Sequence, residues 1–293
     1  MTYKKSLGEQ SFDIGNFLFM SLLVVVTLYP LLHVALASIS RPAEIMAHTG
    51  LLLRPLGFSL RAYEHVFKNP NVIRGYINTA FIVTVGVSFN LFLTSLGAYF
   101  LSRKNVLWKK PVMIMIVITM FFQGGLIPFY FTVRQLGLDN TLWALIIPVG
   151  INTYNMIIMR TAFMAVPDEL IESVTIDGGG HFTILFRIVL PLSMATVAVM
   201  ILYYGVYHWN SWFNAMIFLR KRELFPLQLI LREILILQQT DDMTLQMDAG
   251  DHQMISETIR YALIMVATVP ILCLYPFVQR YFVKGVMIGA LKG

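Results

Sequence analysis

The sequence predicts an all-α membrane protein of six transmembrane helices, and three observations predict it. Of the 293 residues, 57% are hydrophobic and only 13% are charged, about half the charged share of a soluble globular domain. Apolar runs of spanning length recur along the chain, and a hydrocarbon core of about 30 Å takes about 20 helical residues. Basic residues gather at the ends of those runs, where they anchor helices at the headgroups. The formal charge of +6 therefore reads as membrane anchoring. Nothing resembles a basic stripe interleaved with stacking aromatics, so nucleic acid is set aside as a partner.

The six runs cover roughly 14–37, 77–101, 111–132, 141–164, 190–210 and 259–282. The first is too long for a signal h-region and has no small-residue cleavage site at its end, so it is expected to be retained. Gln123, Gly124, Gly125 and Pro128 interrupt the third, which is expected to kink beside a pathway or to pack irregularly. The sixth holds the one cysteine, Cys273, expected as a small buried hydrophobe, and no intrachain disulfide is possible. His33 and His208 lie near run ends and read as interfacial. No repeat of 20–50 residues and no inverted halves are apparent.

Six spans put both termini on one side. A bare count of cations does not choose the side, but the short loop 102–110 carries Arg103, Lys104, Lys109 and Lys110, which favours cytoplasmic termini. The organisation is then a cytoplasmic N-terminal segment (1–13), a single transmembrane domain (14–282) and a cytoplasmic C-terminal tail (283–293).

Between the fourth and fifth runs lies the segment 166–191. Pro167, Asp168 and Glu169 suit a helix first turn, where carboxylates meet the positive dipole end. The helix continues to Ile176. Gly178, Gly179 and Gly180 supply the backbone freedom for a sharp turn. A second short helix from about His181 to Val189 shows Phe182, Leu185, Phe186 and Val189 at helical spacing, and Pro191 fits the first turn of the next span. Such an exposed element marks either a protein contact or a helix resting on lipid.

Its spacing resembles the signature loop of binding-protein-dependent ABC permeases, E-A-A, three residues, G, nine residues, I-x-L-P. Glu172, Ser173 and Val174 take the E-A-A places, Gly178 the glycine, and Ile188, Leu190 and Pro191 the ending. Ser173 and Val174 depart from the two alanines and leave the spacing intact. The resemblance implies a cytoplasmic coupling helix between helices four and five, seated in a cleft of an ATPase subunit, with Glu172 paired to a cation and Asp177 at the turn.

The end of the chain, Tyr275 to Gly293, is similar to the tail of maltose-system-type carbohydrate permeases, which reaches along the ATPase dimer. By that likeness Lys284, Gly285, Gly289, Lys292 and Gly293 are tail contacts. The segment Tyr207–Asn214 follows helix five on the exterior side. Its Trp209, Asn210 and Trp212 read as interface anchors or as contacts to a binding protein or sugar. Arg220, Lys221 and Arg222 read as a cationic flank or a contact for an acidic partner.

The resemblance further implies a bacterial cell membrane location, a second homologous permease, two cytoplasmic ATPase subunits, an extracytoplasmic solute-binding protein and an oligosaccharide cargo. Complex plant-derived saccharides, including uronate-containing ones, fit the likeness best. No phosphate loop of the G-x-x-x-x-G-K-[S/T] type occurs, so ATP and Mg are expected on the partner ATPase, with no cofactor and no metal on this chain. No H-E-x-x-H or G-x-S-x-G motif occurs, so the chain is not expected to be an enzyme, and ionisable groups are scarce within the six runs. The alternatives are a permease for a non-sugar solute such as peptides, or an ion-coupled secondary carrier.

Overall fold

A computed structural model describes residues 6–104, 106–244, 258–273 and 276. Among them the regular elements are helices: α1 (Leu7–Ser38), α2 (Pro42–Ala47), α3 (Arg61–Lys68), α4 (Pro70–Ser102), α5 (Lys109–Phe121), α6 (Leu126–Gln135), α7 (Thr153–Met164), α8 (Asp168–Ile176), α9 (His181–Ile184), α10 (Leu190–Leu192), α11 (Met194–Trp209), α12 (Trp212–Phe218), α13 (Leu227–Thr244) and α14 (Thr258–Cys273). Two 3-10 turns, Leu142–Leu145 and Ile147–Val149, precede α7. The tail contacts expected at 284–293 lie outside the described residues.

The chain forms two compact units, residues 1–69 with 234–269 and residues 70–233 with 270–293. In the first, α1 starts seven residues before the expected boundary because Ser6 and Glu9 cap it reciprocally. Glu9 N donates to Ser6 Oγ at 3.2 Å and Ser6 N to Glu9 Oε2 at 2.8 Å, satisfying two free N–H groups. Along its 32 residues only Ala37 and Ser38 are buried within the protein, as suits a helix whose apolar surface meets lipid. From within it the Tyr29 hydroxyl accepts a hydrogen bond from Leu52 N, beyond the helix, at 3.0 Å.

The second unit is built on α4, 33 residues long and so about 50 Å. α4 packs against α7 and α11 through Ala98, Tyr99, Leu101, Met156, Met159, Phe163, Met200 and Tyr204. Lipid is as apolar as these side chains, so close packing and polar contacts hold such helices together. Two polar contacts stand out. Asn90 Nδ2 donates to Val149 O at 2.7 Å and to Gly150 O at 2.9 Å. Tyr204 OH accepts from Asn152 N at 3.2 Å and lies 2.7 Å from Thr94 Oγ1.

These contacts explain how the fourth apolar run departs from a straight helix. It is a 3-10 stretch, Leu142–Val149, followed by α7 at 51°, and the groups freed between them are the ones Asn90 and Tyr204 take up. Asn152 Oδ1 then caps α7 by accepting from Asn155 N at 3.1 Å. The third run is broken at Gln123–Gly125, its two helices α5 and α6 bent by 118°. The fifth starts later than expected: Ser193 ends the stretch His181–Leu192, and α11 departs from it at 87°. Only α1 and α4 are unbroken helices of spanning length among the described residues.

His208 corrects an expectation. It is fully buried, not interfacial, because α11 lays it against Gly86 of α4, where an added Cβ would stand 2.5 Å from Nε2. With Asn90 Nδ2 committed to two carbonyls, Asn90 Oδ1 accepts from His208 Nε2 at 2.6 Å. Cys273 is likewise exposed rather than buried; it lies in the last apolar helix, whose outward face is available to lipid.

Replacing Asn90 with Leu leaves two carbonyls and the His208 N–H without partners. It should destabilise the detergent-solubilised protein by about 1–3 kcal/mol, read as a lower thermal unfolding temperature. Gly86→Ala should lower it too, by forcing His208 off this contact.

Candidate functional site

The segment 166–191 is assembled at one end of the second unit. Pro167 takes the N-cap position, one residue earlier than expected, and Asp168 and Glu169 fill the first turn of α8. The helix closes in a Schellman motif: Gly179 N donates to Val174 O at 2.8 Å and Gly178 N to Thr175 O at 3.1 Å. The glycines have separate reasons. Gly178 sits at φ +81°, a left-handed position that side chains disfavour. At Gly179 a Cβ would meet Val174 Cγ1 at 2.5 Å. Asp177 is the C-cap between them and Ile176.

α8 turns Ile171 and Val174 onto the core of α4 and α7. Its opposite side presents Glu172, Ser173 and Ile176 to the outside. After the turn, α9 runs into a π-helical stretch, Leu185–Val189, and then α10. The expected stripe of Phe182, Leu185, Phe186 and Val189 is divided. Leu185 and Val189 are buried with Ile184, whereas Phe182 and Phe186 are exposed and stack on each other at 6.5 Å. The core contact has rotated the buried face toward Ile184 and Ile188, and Ile188 and Leu190 pack against the same cluster. Pro191 is exposed and stands within α10, ahead of the bend at Ser193.

Two contacts fasten this element, and a third holds the end of α7 beside it. Tyr99 OH lies 3.2 Å from His181 Nδ1. Arg103 NH2 donates to Phe163 O at 2.9 Å. Lys104 Nζ donates to Asp168 Oδ2. The cation-rich loop 102–110 and the segment 166–191 therefore share one end of the unit. The hydrogen bond from Lys104 holds the Asp168 carboxyl below its usual range, and the same bond holds the Lys104 ammonium above its own. Both groups are exposed, so salt screens the pair.

The other candidates lie at the far end of α11. Trp209 is half-buried, its ring 6.4 Å from that of Tyr76. Asn210 is exposed and its amide donates to Val206 O at 2.9 Å. The Arg232 guanidinium covers one face of the Trp212 ring at 3.5 Å from the centroid. Arg220 pairs with Asp139 at 3.2 Å and Arg222 with Glu233 at 3.4 Å, so two cations of the 220–222 triplet are engaged within the protein. Among the described residues, no group of three or more His, Cys, Asp or Glu side chains could hold a metal ion.

Comparison with known proteins gives a consistent picture. No protein-family model matches the chain. It is 37% identical over 289 residues to the polygalacturonan/rhamnogalacturonan transport system permease protein YtcP of Bacillus subtilis (strain 168), covering 98% of this chain and 100% of that one. It is 26% identical over 272 residues to the arabinooligosaccharides transport system permease protein AraQ of Halalkalibacterium halodurans, covering 92% of each. Among solved structures it resembles a chain of a bacterial ABC transporter involved in the import of the acidic polysaccharide alginate. The TM-score is 0.86 at 28% identity, over 96% of this chain and 100% of that one.

The Lys104–Asp168 pair gives a pH signature. The lowered Asp168 value means its contribution holds above the normal carboxylate range and is lost as pH falls through that lowered value. The raised Lys104 value means its contribution is lost only as pH climbs through the raised ammonium value. Limited proteolysis of the 166–180 segment should therefore be flat between those limits and speed up at acid pH. Asp168→Asn should remove the acid-side change, and high salt should diminish it.

Proposed function

This chain belongs to the permease subunits of sugar-importing ABC transport systems, and on that premise we propose that it forms half of an oligosaccharide pathway driven by a separate ATPase. The observation that carries the coupling reading is the geometry of 166–191. A capped helix bearing Glu172 ends at the left-handed Gly178 and turns back into the core through Ile184, Leu185 and Val189. Its buried side, Ile171 and Val174, ties it to α4 and α7, while its outward side offers a carboxylate and apolar groups to a partner. We assign that partner as a cytoplasmic ATPase subunit. Asp177 sits at the turn, and Ile188, Leu190 and Pro191 stiffen the return.

Six crossings follow if each bent pair is one span: α1, α4, α5 with α6, 142–149 with α7, the stretch 181–192 with α11, and the apolar sequence run 259–282 that contains most of α14. Both termini then lie in the cytoplasm, on the side of the cation-rich loop 102–110. ATP and Mg belong to the two ATPase subunits. A second permease completes the pathway, and an extracytoplasmic binding protein delivers the cargo. At the outer end, Asn210 is the exposed member of the Trp209, Asn210 and Trp212 group, and it is the residue we place nearest the binding protein. The relatives' names, polygalacturonan/rhamnogalacturonan and arabinooligosaccharides, support an oligosaccharide cargo, which we take to be plant-derived.

The test is Glu172→Ala beside Gly178→Pro in the assembled importer. An ion pair desolvated at a subunit contact is worth a few kcal/mol when one partner is removed, so uptake should fall at least about tenfold. Membrane insertion and the level of the protein should persist. Unimpaired uptake in both variants would sink the coupling assignment.

A further inference from the structure

Cations gather where α4 ends and α5 begins. Arg103, Lys109 and Lys110 come from the loop 102–110, and Arg160 comes from α7. Lys109 Nζ donates to Arg103 O at 2.7 Å, and Arg160 Nε donates to Leu101 O at 3.0 Å. These carbonyls are two residues apart at the end of α4, which brings both cations to one place. The charges felt by the Lys109 ammonium are those of the Arg160 and Arg103 guanidiniums. Among the described residues, no carboxylate forms an ion pair with any of the four.

Capping explains only part of this group. Cations suit the last carbonyls of a helix, and Lys109 and Arg160 serve α4 in that way. Arg160 nevertheless keeps both terminal nitrogens free, and Lys109 uses one of its three donors. Lys109 and Lys110 also stand in the first turn of α5, which has no acidic residue and no side-chain cap. Like charges there repel one another and the positive end of the dipole, so the group calls for an outside anion. Two apolar features give that anion its setting. Leu107 and Trp108, on the same loop, are 80% and 70% exposed, as suits side chains that enter a headgroup layer. The face of α5 headed by the lysines carries an open groove of about 260 Å³, lined by Met113, Ile114, Val117, Ile118, Phe121 and Phe122. Met113 and Val117 follow Lys109 at i+4 and i+8, and Ile114 and Ile118 follow Lys110 likewise. From Met113 to Phe121 the groove runs about 12 Å, most of one leaflet of a hydrocarbon core about 30 Å thick.

We propose that this end of α5 binds an anionic phospholipid, with Lys109, Lys110 and Arg160 taking the headgroup phosphate and an acyl chain lying in the α5 groove. Phosphate oxygens match guanidinium and ammonium donors, and basic pockets between membrane helices suit such headgroups. The groove selects a lipid over a soluble anion, which would leave those six apolar side chains uncovered. Arg103 takes a different part. Its guanidinium donates to Phe163 O at 2.9 Å and lies over the Tyr99 ring at 5.2 Å, so it ties the cluster to the end of α7 and to the helix that holds His181. A bound lipid thereby pins the ends of α4, α5 and α7 beside the segment 166–191. This rests on the chain's place in the membrane and not on its cargo.

The test uses the full-length chain in neutral detergent, purified with the subunits that accompany it. The probes are dioleoyl phosphatidylglycerol, dioleoyl phosphatidylcholine and glycerophosphoglycerol, the first lipid's headgroup without its chains. Binding is read by native mass spectrometry and by protection against thermal unfolding. Phosphatidylglycerol should bind at least about 10-fold more tightly than phosphatidylcholine. Lys109→Gln with Lys110→Gln should weaken it about 30-fold, at about fivefold for each cation removed, whereas Lys109→Arg with Lys110→Arg should keep it. Raised salt should weaken it in the wild type, a readout that needs no variant to fold. Equal binding of the two lipids, unchanged binding by the Gln variant or indifference to salt each overturns the site. Glycerophosphoglycerol that competes as well as the intact lipid also overturns it, making the cluster a pocket for a soluble anion. Loss of an accompanying subunit from the Gln variant does so too, making the cluster a subunit contact.

Discussion

The second unit depends on one contact, the Asn90 carboxamide against the carbonyls of Val149 and Gly150. A chain that stops being helical within a bilayer must find partners for its backbone, because no water stands by to take them and each orphan costs several kcal/mol. Asn90 serves two carbonyls with one nitrogen and keeps its oxygen for His208 Nε2. Tyr204 takes the next N–H, at Asn152. α4 and α11 thereby supply both halves of the repair, and the break is fixed between the two helices that pack most closely with it. A side chain larger than hydrogen at Gly86 would push His208 out of this arrangement. The polar groups of the core are there because the backbone of a third element is irregular.

Much of this was legible beforehand, and the reasons differ by element. α8 was read to within a residue of its start and its end because its signals are local: proline and carboxylates at the N-terminus, glycine at the C-terminus. The spans at 7–38 and 70–102 were legible from composition alone. Their ends were not, since the Ser6–Glu9 cap lies in polar sequence that hydropathy ignores. The break at 150–152 had a signal, Pro148 and Gly150 followed by Asn152, Thr153 and Asn155 inside an apolar run. Those residues stop a helix and then cap another, but an apolar average smooths them away. The burial of His208 had no local signal whatever. Position near a helix end suggested an interface, and only the groove at Gly86 on a distant helix decides otherwise.

The loop 166–191 shows the same division between local and distant causes. Its turn is encoded by three consecutive glycines that do different work: a positive φ at Gly178, a close approach to Val174 at Gly179, and an extended N-cap at Gly180. The face that follows is decided by tertiary packing. Helical spacing groups Phe182 and Phe186 with Leu185 and Val189, yet the core of Tyr99, Met159 and Phe163 selects Ile184, Leu185 and Val189. The two phenylalanines are left stacked on the outside. An exposed aromatic pair beside an exposed carboxylate is costly for an isolated subunit and natural for a docking element.

The break at 150–152 and the loop 166–191 are joined by the same helices. α7 runs from its Asn152 cap, at the break, toward the Pro167 cap of α8, its 12 residues spanning about 18 Å. α4 runs beside it, with Asn90 near the break and Tyr99, bonded to His181, at the loop. Ile171 and Val174 seat α8 on this pair, so a push on α8 acts on side chains that are close-packed and yield little. The far end is different. At the break the backbone is held by a few hydrogen bonds through Asn90 and Tyr204 instead of a continuous helical ladder, and such bonds can exchange partners where a packed core cannot.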